Sequence, residues 1–309
     1  MKLTVVGGGG WIGSATAFHI ATQKLVDDVV LIGARKSKTE QHAVDMSTAV
    51  SMLGVKVRAG GYEDLAGSDV VINAAGVPHG GNRAQMLADN IGLLREIVGR
   101  IGAYCTGAVV ITATNPVDPL NYATWRLGGF ARRQVIGYSL NDSFRFREFV
   151  AAAKGVGVGR VEATVIGEHG PAQVPLFSSV RIDGEPVAFG DEEKRAIIAA
   201  RPALFTSIEA LQKETGRTAG WTCAVGLARM VAAIARDTGE TFPCSAVLDG
   251  EYGLSGLSMG VPARVGADGI QQIEEWDLAG DERAALAHCA RQLEAAARTV
   301  DQCLAGGCT

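Results

Sequence analysis

The chain has 309 residues, 47% of them hydrophobic and 20% charged, with a formal net charge of −4 and a pI near 5.8. That balance gives no global attraction to nucleic acid or to an anionic membrane surface, and no apolar run approaches the roughly 20 residues needed to span a bilayer. The length suits two domains or one large one.

Met1-Lys2-Leu3-Thr4 runs straight into a strand-like segment without the cationic, apolar and cleavage regions of a signal peptide, so the cytoplasm is the default expectation. The cysteines, Cys105, Cys223, Cys244, Cys289, Cys303 and Cys308, form no CxxC pair and no Cys/His cluster with metal spacing. Buried free thiols and no metal are expected.

Leu3 to Gly7 reads as a short apolar strand, and Ser14 to Gln23 as a helix. Between them stands Gly7-Gly8-Gly9-Gly10-Trp11-Ile12-Gly13, in which Gly8, Gly10 and Gly13 fit G-x-G-x-x-G. That spacing serves a tight turn, close backbone approach to a pyrophosphate at a helix N-terminus, and close helix-on-strand packing. Four consecutive glycines satisfy many patterns; the position between the first strand and a helix gives this one its weight.

The second strand is Val29 to Ile32. A chain that binds NAD places Asp or Glu at this strand's end to bond the ribose 2′-hydroxyl. Here Gly33 stands there, followed by Ala34-Arg35-Lys36-Ser37-Lys38. Without the carboxylate there is no repulsion, and the cations and hydroxyl offer partners for a 2′-phosphate. NADP(H) is therefore expected in preference to NAD(H); a solvated basic turn is the alternative.

Asp69 to Ala74 reads as a strand, Arg83 to Tyr104 as mostly helix, Ala108 to Thr112 as a strand, and Asp118 to Leu127 as a helix. Val135-Ile136-Gly137 reads as a further strand. Alternating strands and helices predict an α/β fold with a doubly wound parallel sheet, its ligands at the carboxyl ends of the strands. Beyond residue 141 the alternation stops. Segments 160–166 and 177–182 read as strands, Asp191 to Thr215 and Gly220 to Asp237 as helices, and 244–249 with 258–265 as antiparallel strands. A last amphipathic helix, Asp281 to Leu304, aligns Leu286, Leu293, Ala297 and Val300. The expected organisation is a Rossmann domain over 1–140 and an α+β substrate domain over 141–309.

Gly167-Glu168-His169-Gly170 sets one histidine between glycines after an apolar run, and an imidazole is the natural proton donor for carbonyl reduction near neutral pH. Singly, the other polar positions have ordinary readings. Asp142 suits a helix N-cap, Asn115 before Pro116 suits a turn, Arg145 suits a solvated helix face, and Arg83 suits the start of its helix.

Taken in order, the motifs resemble the lactate/malate dehydrogenase family along nearly the whole chain. They are Gly76-Val77-Pro78 with Arg83 and Asn90, Thr114-Asn115-Pro116-Val117-Asp118, Asn141-Asp142-Ser143-Phe144-Arg145-Phe146-Arg147, Gly167-Glu168-His169-Gly170 with Val174-Pro175-Leu176, and Gly220-Trp221-Thr222. Gly-Ser-Ala-Thr-Ala at 13–17 and Val-Leu-Ile-Gly at 30–33 look most like the archaeal-type malate dehydrogenases, some of which use NADP.

The resemblance implies a 2-hydroxy acid dehydrogenase, acting on a small 2-oxo or 2-hydroxy acid and forming homodimers or homotetramers. His169 would donate the proton, Asp142 orient it, Arg145 hold the substrate carboxylate, Arg83 polarise the carbonyl from a mobile loop, and Asn115 bond the substrate oxygen. The dinucleotide would lie along Gly8, Gly10, Trp11, Ile12 and Gly13, along Gly33, Arg35, Lys36 and Ser37, and along Ala75, Gly76, Asn90 and Asn115. Two rival readings are an NAD-dependent glycoside hydrolase, which needs a Cys/His-bound metal, and a non-catalytic dinucleotide sensor, which has no use for both His169 and Arg145.

The departures from the family pattern concern the substrate. After Gly-Val-Pro the malate enzymes carry an arginine and the lactate enzymes a glutamine; here His79 stands, in a loop about two residues shorter that carries Gly80-Gly81-Asn82. Trp221 and Thr222 fall where the family contacts the substrate's side chain. These departures predict a specialised 2-oxo acid with a polar or anionic tail, with conventional malate dehydrogenase activity as the alternative.

Overall fold

A computed structural model describes residues 1–77, 83–215 and 220–306, without the side chains at 83, 84, 203, 205, 209 and 212. The first half alternates as expected, with α2 and β3 in addition to the elements read from the sequence: β1 (Lys2–Val6), α1 (Trp11–Thr22), β2 (Asp28–Ile32), α2 (Lys36–Val50), β3 (Lys56–Ala59), β4 (Val70–Asn73), α3 (Arg83–Tyr104), β5 (Val109–Thr112), α4 (Val117–Gly128) and β6 (Val135–Gly137). The second half comprises α5 (Leu140–Lys154), β7 (Val161–Glu162), β8 (Val165–Gly167), β9 (Gln173–Pro175), β10 (Arg181–Ile182), β11 (Glu185–Pro186), α6 (Asp191–Thr215), α7 (Trp221–Arg236), β12 (Glu240–Asp249), β13 (Ser255–Gly266), β14 (Gly269–Ile273) and α8 (Gly280–Leu304).

Strands β3-β2-β1-β4-β5-β6 form a parallel sheet in that order, the doubly wound arrangement with its switch point between β1 and β4. Leu3, Val5, Val29 to Leu31, Val70 to Ile72 and Val109 to Ile111 are buried, as strands covered on both faces must be. The sheet continues antiparallel through β12, β13, β8 and β9; β12 pairs with β6 at Ser245↔Gly137, and β13 with β8 at Gly260↔Gly167. One sheet thus carries the exits of β1, β4, β5 and β6 toward the loop after β8 that holds His169.

Several expectations are corrected. Arg35 to Lys38 is not a free turn: Lys36 opens α2, whose buried Thr39, Ala43, Met46 and Val50 recur every three to four residues. Segment 160–166 is two strands. β7 joins a small sheet with β10 and β11, while β8 joins the large one and its Val165 N–H donates to Ser143 Oγ at 2.9 Å. In 177–182 only Arg181–Ile182 is strand; Phe177–Ser179 is a 3₁₀ turn, because the Ser178 N–H and hydroxyl both bond the Glu282 carboxylate of α8. Cys105, Cys223, Cys244 and Cys289 are free thiols, Cys223 only partly buried, but Cys303 is disulfide-bonded. Cys308 lies outside the described residues.

Candidate active site

The first loop is built by its glycines. Gly7, at φ +89°, and Gly8 both donate to the Ile32 carbonyl, at 2.8 and 2.9 Å, and so tie the turn to the end of β2. A Cβ on Gly8 would stand 2.8 Å from Leu31 Cβ, and one on Gly13 2.8 Å from the Gly7 carbonyl carbon. Trp11 and Ile12 open α1 over this cradle, and no acidic residue lies in the helix's first turn.

Gly33 adjoins the same turn, since a Cβ on it would lie 3.2 Å from Gly9 N. Beside it Arg35 stands at the N-cap of α2, and Lys36, Ser37 and Lys38 are exposed in a first turn without acidic residues. The cradle fits a pyrophosphate, and the cationic helix start fits an anion next to it.

Asn90 of α3 joins two strand ends. Its Oδ1 accepts from Val77 N at 2.8 Å, and its Nδ2 donates to the Asn115 carbonyl at 3.0 Å. Thr114 Oγ1 donates to the Ala75 carbonyl at 2.7 Å, so the loops after β4 and β5 are held as one ledge. Gly76 and Asn115 are exposed along it, and the Asn115–Pro116 peptide is cis.

His169 follows β8, where Gly167 turns the chain at φ +84°. Its Nδ1 lies 2.6 Å from Asp142 Oδ2, and its N–H donates to Asp118 Oδ2 at 2.7 Å. Asp142 is buried in the first turn of α5, and its other oxygen accepts from Gln173 Nε2 at 3.3 Å. Burial pulls the imidazole pKa down, but the charge and hydrogen bond of Asp142, with the charge of Asp118 behind them, outweigh it and the net direction is upward. Nε2, the nitrogen not engaged by Asp142, is then the one whose proton a carbonyl could receive.

Two residues outside the expected set support this group. Asp118 is fully buried in α4, and burial pushes its carboxyl up to about 6 against the hydrogen bonds from Ser245 Oγ, at 2.6 Å, and His169 N. Gln173 bridges Asp142 to the Gly170 carbonyl, at 3.0 Å. Asp118 belonged to a recognised motif. Gln173, four residues past His169, carried no signal of its own.

Arg145 lies one turn along α5 from Asp142, its Nη1 3.5 Å from Asp142 Oδ1 and its side chain 23% exposed. Asp142, Arg145 and Gln173 share a narrow cleft with Phe146, Phe149 and Arg201. Arg83 opens α3, but its side chain and all of His79 lie outside the described residues. Trp221 and Thr222 are exposed at the start of α7. The Trp221 ring meets that of Trp11 edge-on at 6.1 Å, on the dinucleotide side, and the Thr222 carbonyl lies 3.2 Å from the Tyr138 hydroxyl. Of the expected substrate residues that are described, the structure brings Arg145 into the cleft beside Asp142.

Residues 1–137 match the lactate/malate dehydrogenase NAD-binding domain, and residues 140–303 match the lactate/malate dehydrogenase α/β C-terminal domain. The chain is 38% identical to malate dehydrogenase of Halobacterium salinarum over 95% of its own length and 97% of that protein. It is 35% identical to L-lactate dehydrogenase of Nitratidesulfovibrio vulgaris, over 94% and 97%. The structure of malate dehydrogenase from Aeropyrum pernix superposes with a TM-score of 0.87 at 31% identity, covering 96% of this chain and 97% of that one. A glycine cradle at the end of β1 and a histidine held by a carboxylate one helical turn from an arginine, on a chain matched by both family domains, make this protein a member of the lactate/malate dehydrogenase family: a nicotinamide-dinucleotide-dependent 2-hydroxy acid dehydrogenase.

Proposed function

We propose that the enzyme prefers NADP(H) and works as the reductase of a specialised 2-oxo acid bearing a polar or anionic tail. The observation that carries the cofactor reading is Gly33 beside the glycine turn, with Arg35, Lys36 and Ser37 at the start of α2 and no carboxylate among them. A 2′-phosphate there meets cations and an unopposed helix N-terminus, where a ribose hydroxyl meets no acid.

The bound nicotinamide supplies the hydride. Arg145 holds the substrate carboxylate through a planar two-bond contact. His169 delivers its Nε2 proton to the carbonyl oxygen as negative charge develops there. Asp142 fixes the ring through Nδ1 and keeps it charged until that moment. Asp118 holds the His169 backbone, so the ring swings from a fixed point. Arg83 and Asn115 stabilise the carbonyl oxygen from α3 and the β5 ledge. Residues 1–140 serve the cofactor and 141–309 the substrate. α1 and α7, which expose Phe18 and Val225 as well as the paired Trp11 and Trp221, suit a homodimer or homotetramer contact.

The substrate reading rests on His79 in place of the arginine of the malate enzymes. Conventional malate dehydrogenase activity is the second reading, favoured by the malate dehydrogenases among the relatives. The test is oxidation of NADPH and of NADH against 2-oxo acids, from pyruvate and branched acids through oxaloacetate to phosphonate- and sulfonate-bearing analogues. An analogue turned over better than oxaloacetate, with NADPH, supports the proposal. Dominance of oxaloacetate removes the substrate reading, and equal use of NADH removes the cofactor reading.

A further inference from the structure

We propose that Ser245 of β12 and Ser258 of β13 are positioning residues for the proton donor: with Asn121 they form a one-way chain of buried hydrogen bonds that ends on Asp118 and, through it, acts on His169. Their role rests on His169 being the proton donor proposed above.

Asp118 and Asn121 stand one turn apart on α4, and the two serines come from paired strands of the second half of the chain. All four side chains are buried. Asn121 Nδ2 donates to the Ser245 carbonyl at 3.1 Å and to Ser258 Oγ at 2.9 Å. Ser258 Oγ lies 2.8 Å from Ser245 Oγ, and Ser245 Oγ donates to Asp118 Oδ1 at 2.6 Å. Asp118 Oδ2 accepts the His169 N–H at 2.7 Å.

Counting hydrogens fixes the direction. The Ser245 carbonyl can only accept, so Asn121 must turn its nitrogen toward the serines. It keeps that orientation although its Oδ1 is buried with no partner among the described residues; turned over, it would set two oxygens face to face. Ser258 receives one amide hydrogen and passes its own to Ser245, whose only hydrogen goes to Asp118. Each donor polarises the next, and the chain ends on a carboxylate. A proton on either Asp118 oxygen would meet a donor, the Ser245 O–H on Oδ1 or the His169 N–H on Oδ2. The chain therefore favours the charged form of Asp118.

That charge matters to the imidazole. Burial pushes the Asp118 carboxyl up to about 6, and the bonds from Ser245 and His169 N keep it from rising further. The ionised carboxylate adds to Asp142 in raising His169. Acting on the pair as well are Arg145, which lowers the imidazole, Glu168, which raises Asp118, and Cys289 of α8, a thiol pushed up to about 12 and so neutral. With the Ser245 hydroxyl gone, Asp118 takes up its proton at higher pH. The imidazole then loses part of its support and releases its own proton at lower pH.

The experiment compares Ser245→Ala, Ser258→Ala, Asp118→Asn and the double variant Asp118→Asn with Ser245→Ala against the wild type. Each is assayed for reduction of the best 2-oxo acid from pH 5 to 9 at saturating NADPH, with urea unfolding alongside. Ser245→Ala is expected to move the alkaline limb of kcat down by about 0.5 to 1 pH unit, which lowers kcat on that limb by about 3- to 10-fold. Ser258→Ala, which keeps the Ser245 hydroxyl, should move the limb the same way by less, and it carries the test if Ser245→Ala does not fold. In the Asp118→Asn background, Ser245→Ala should move the limb by less than about 0.2 unit, because its route to His169 is gone. An unmoved limb in the single serine variants, or an equal shift with and without Asp118, overturns the proposal even where stability falls. The reading of the site fails separately if His169→Asn keeps its turnover.

Discussion

Replacing Asp142 with Asn keeps the shape of the side chain and removes the charge that holds His169. In the wild type the imidazole pKa is raised although burial acts the other way, and Asp142 opposes that burial through both its charge and its 2.6 Å hydrogen bond to Nδ1. In the variant, burial and the nearby Arg145 remain, opposed by Asp118 alone, so the pKa falls. A hydrogen bond to a charged group contributes about 1.5–3 kcal/mol, which corresponds to roughly 10- to 150-fold in rate when it is lost from the transition state. A smaller protonated fraction at neutral pH adds to that loss. The assay is 2-oxo acid reduction from pH 5 to 9 at saturating cofactor. The alkaline limb should move to lower pH and kcat should fall by about 100-fold, with cofactor affinity unchanged. An alkaline limb that stays where the wild type has it would refute the reasoning, because the charge of Asp142 would then not set the proton donor.

Further expectations concern the cofactor and stability. Arg35→Ala with Lys36→Ala should raise the KM for NADPH by about 10-fold or more and leave that for NADH nearly unchanged, since only the 2′-phosphate needs the cations; equal effects on both would contradict the assignment. Gly13→Ala sets a Cβ 2.8 Å from the Gly7 carbonyl carbon, so α1 must withdraw from the turn. Dinucleotide affinity should fall at least about 10-fold with about 1–3 kcal/mol of stability, read by titration and urea unfolding. Asp118 is raised by burial to about 6 in the folded chain, above its unfolded value. Its stabilising contribution is therefore complete below about pH 4 and is lost as pH rises through about 6, on the order of 3 kcal/mol. Unfolding of the wild type and Asp118→Asn between pH 4 and 7.5 should diverge by that slope, whereas parallel curves would remove the claim.

The parallel strands were legible because buried strands are unbroken apolar runs, and the glycine turn because the backbone leaves Gly8 and Gly13 no room for a Cβ. α2 was missed where a cationic start hid a buried stripe of only four residues, Thr39, Ala43, Met46 and Val50. The Phe177 segment misled because its conformation is set by Glu282, more than 100 residues away. The pairing of His169 with Asp142 followed from motif order, and the geometry agrees with it. Gln173 and Arg201 were invisible because their place in the cleft depends on how α6 and β9 pack on α5, which no local pattern encodes.

The most direct test of the account is His169→Asn, measured as NADPH oxidation with the best 2-oxo acid alongside a fluorescence titration of NADPH binding. The account predicts that turnover falls by at least about 1,000-fold while the dissociation constant of NADPH stays within about 2-fold of the wild type. Retained turnover with intact binding would contradict it, because the proton would then come from another group.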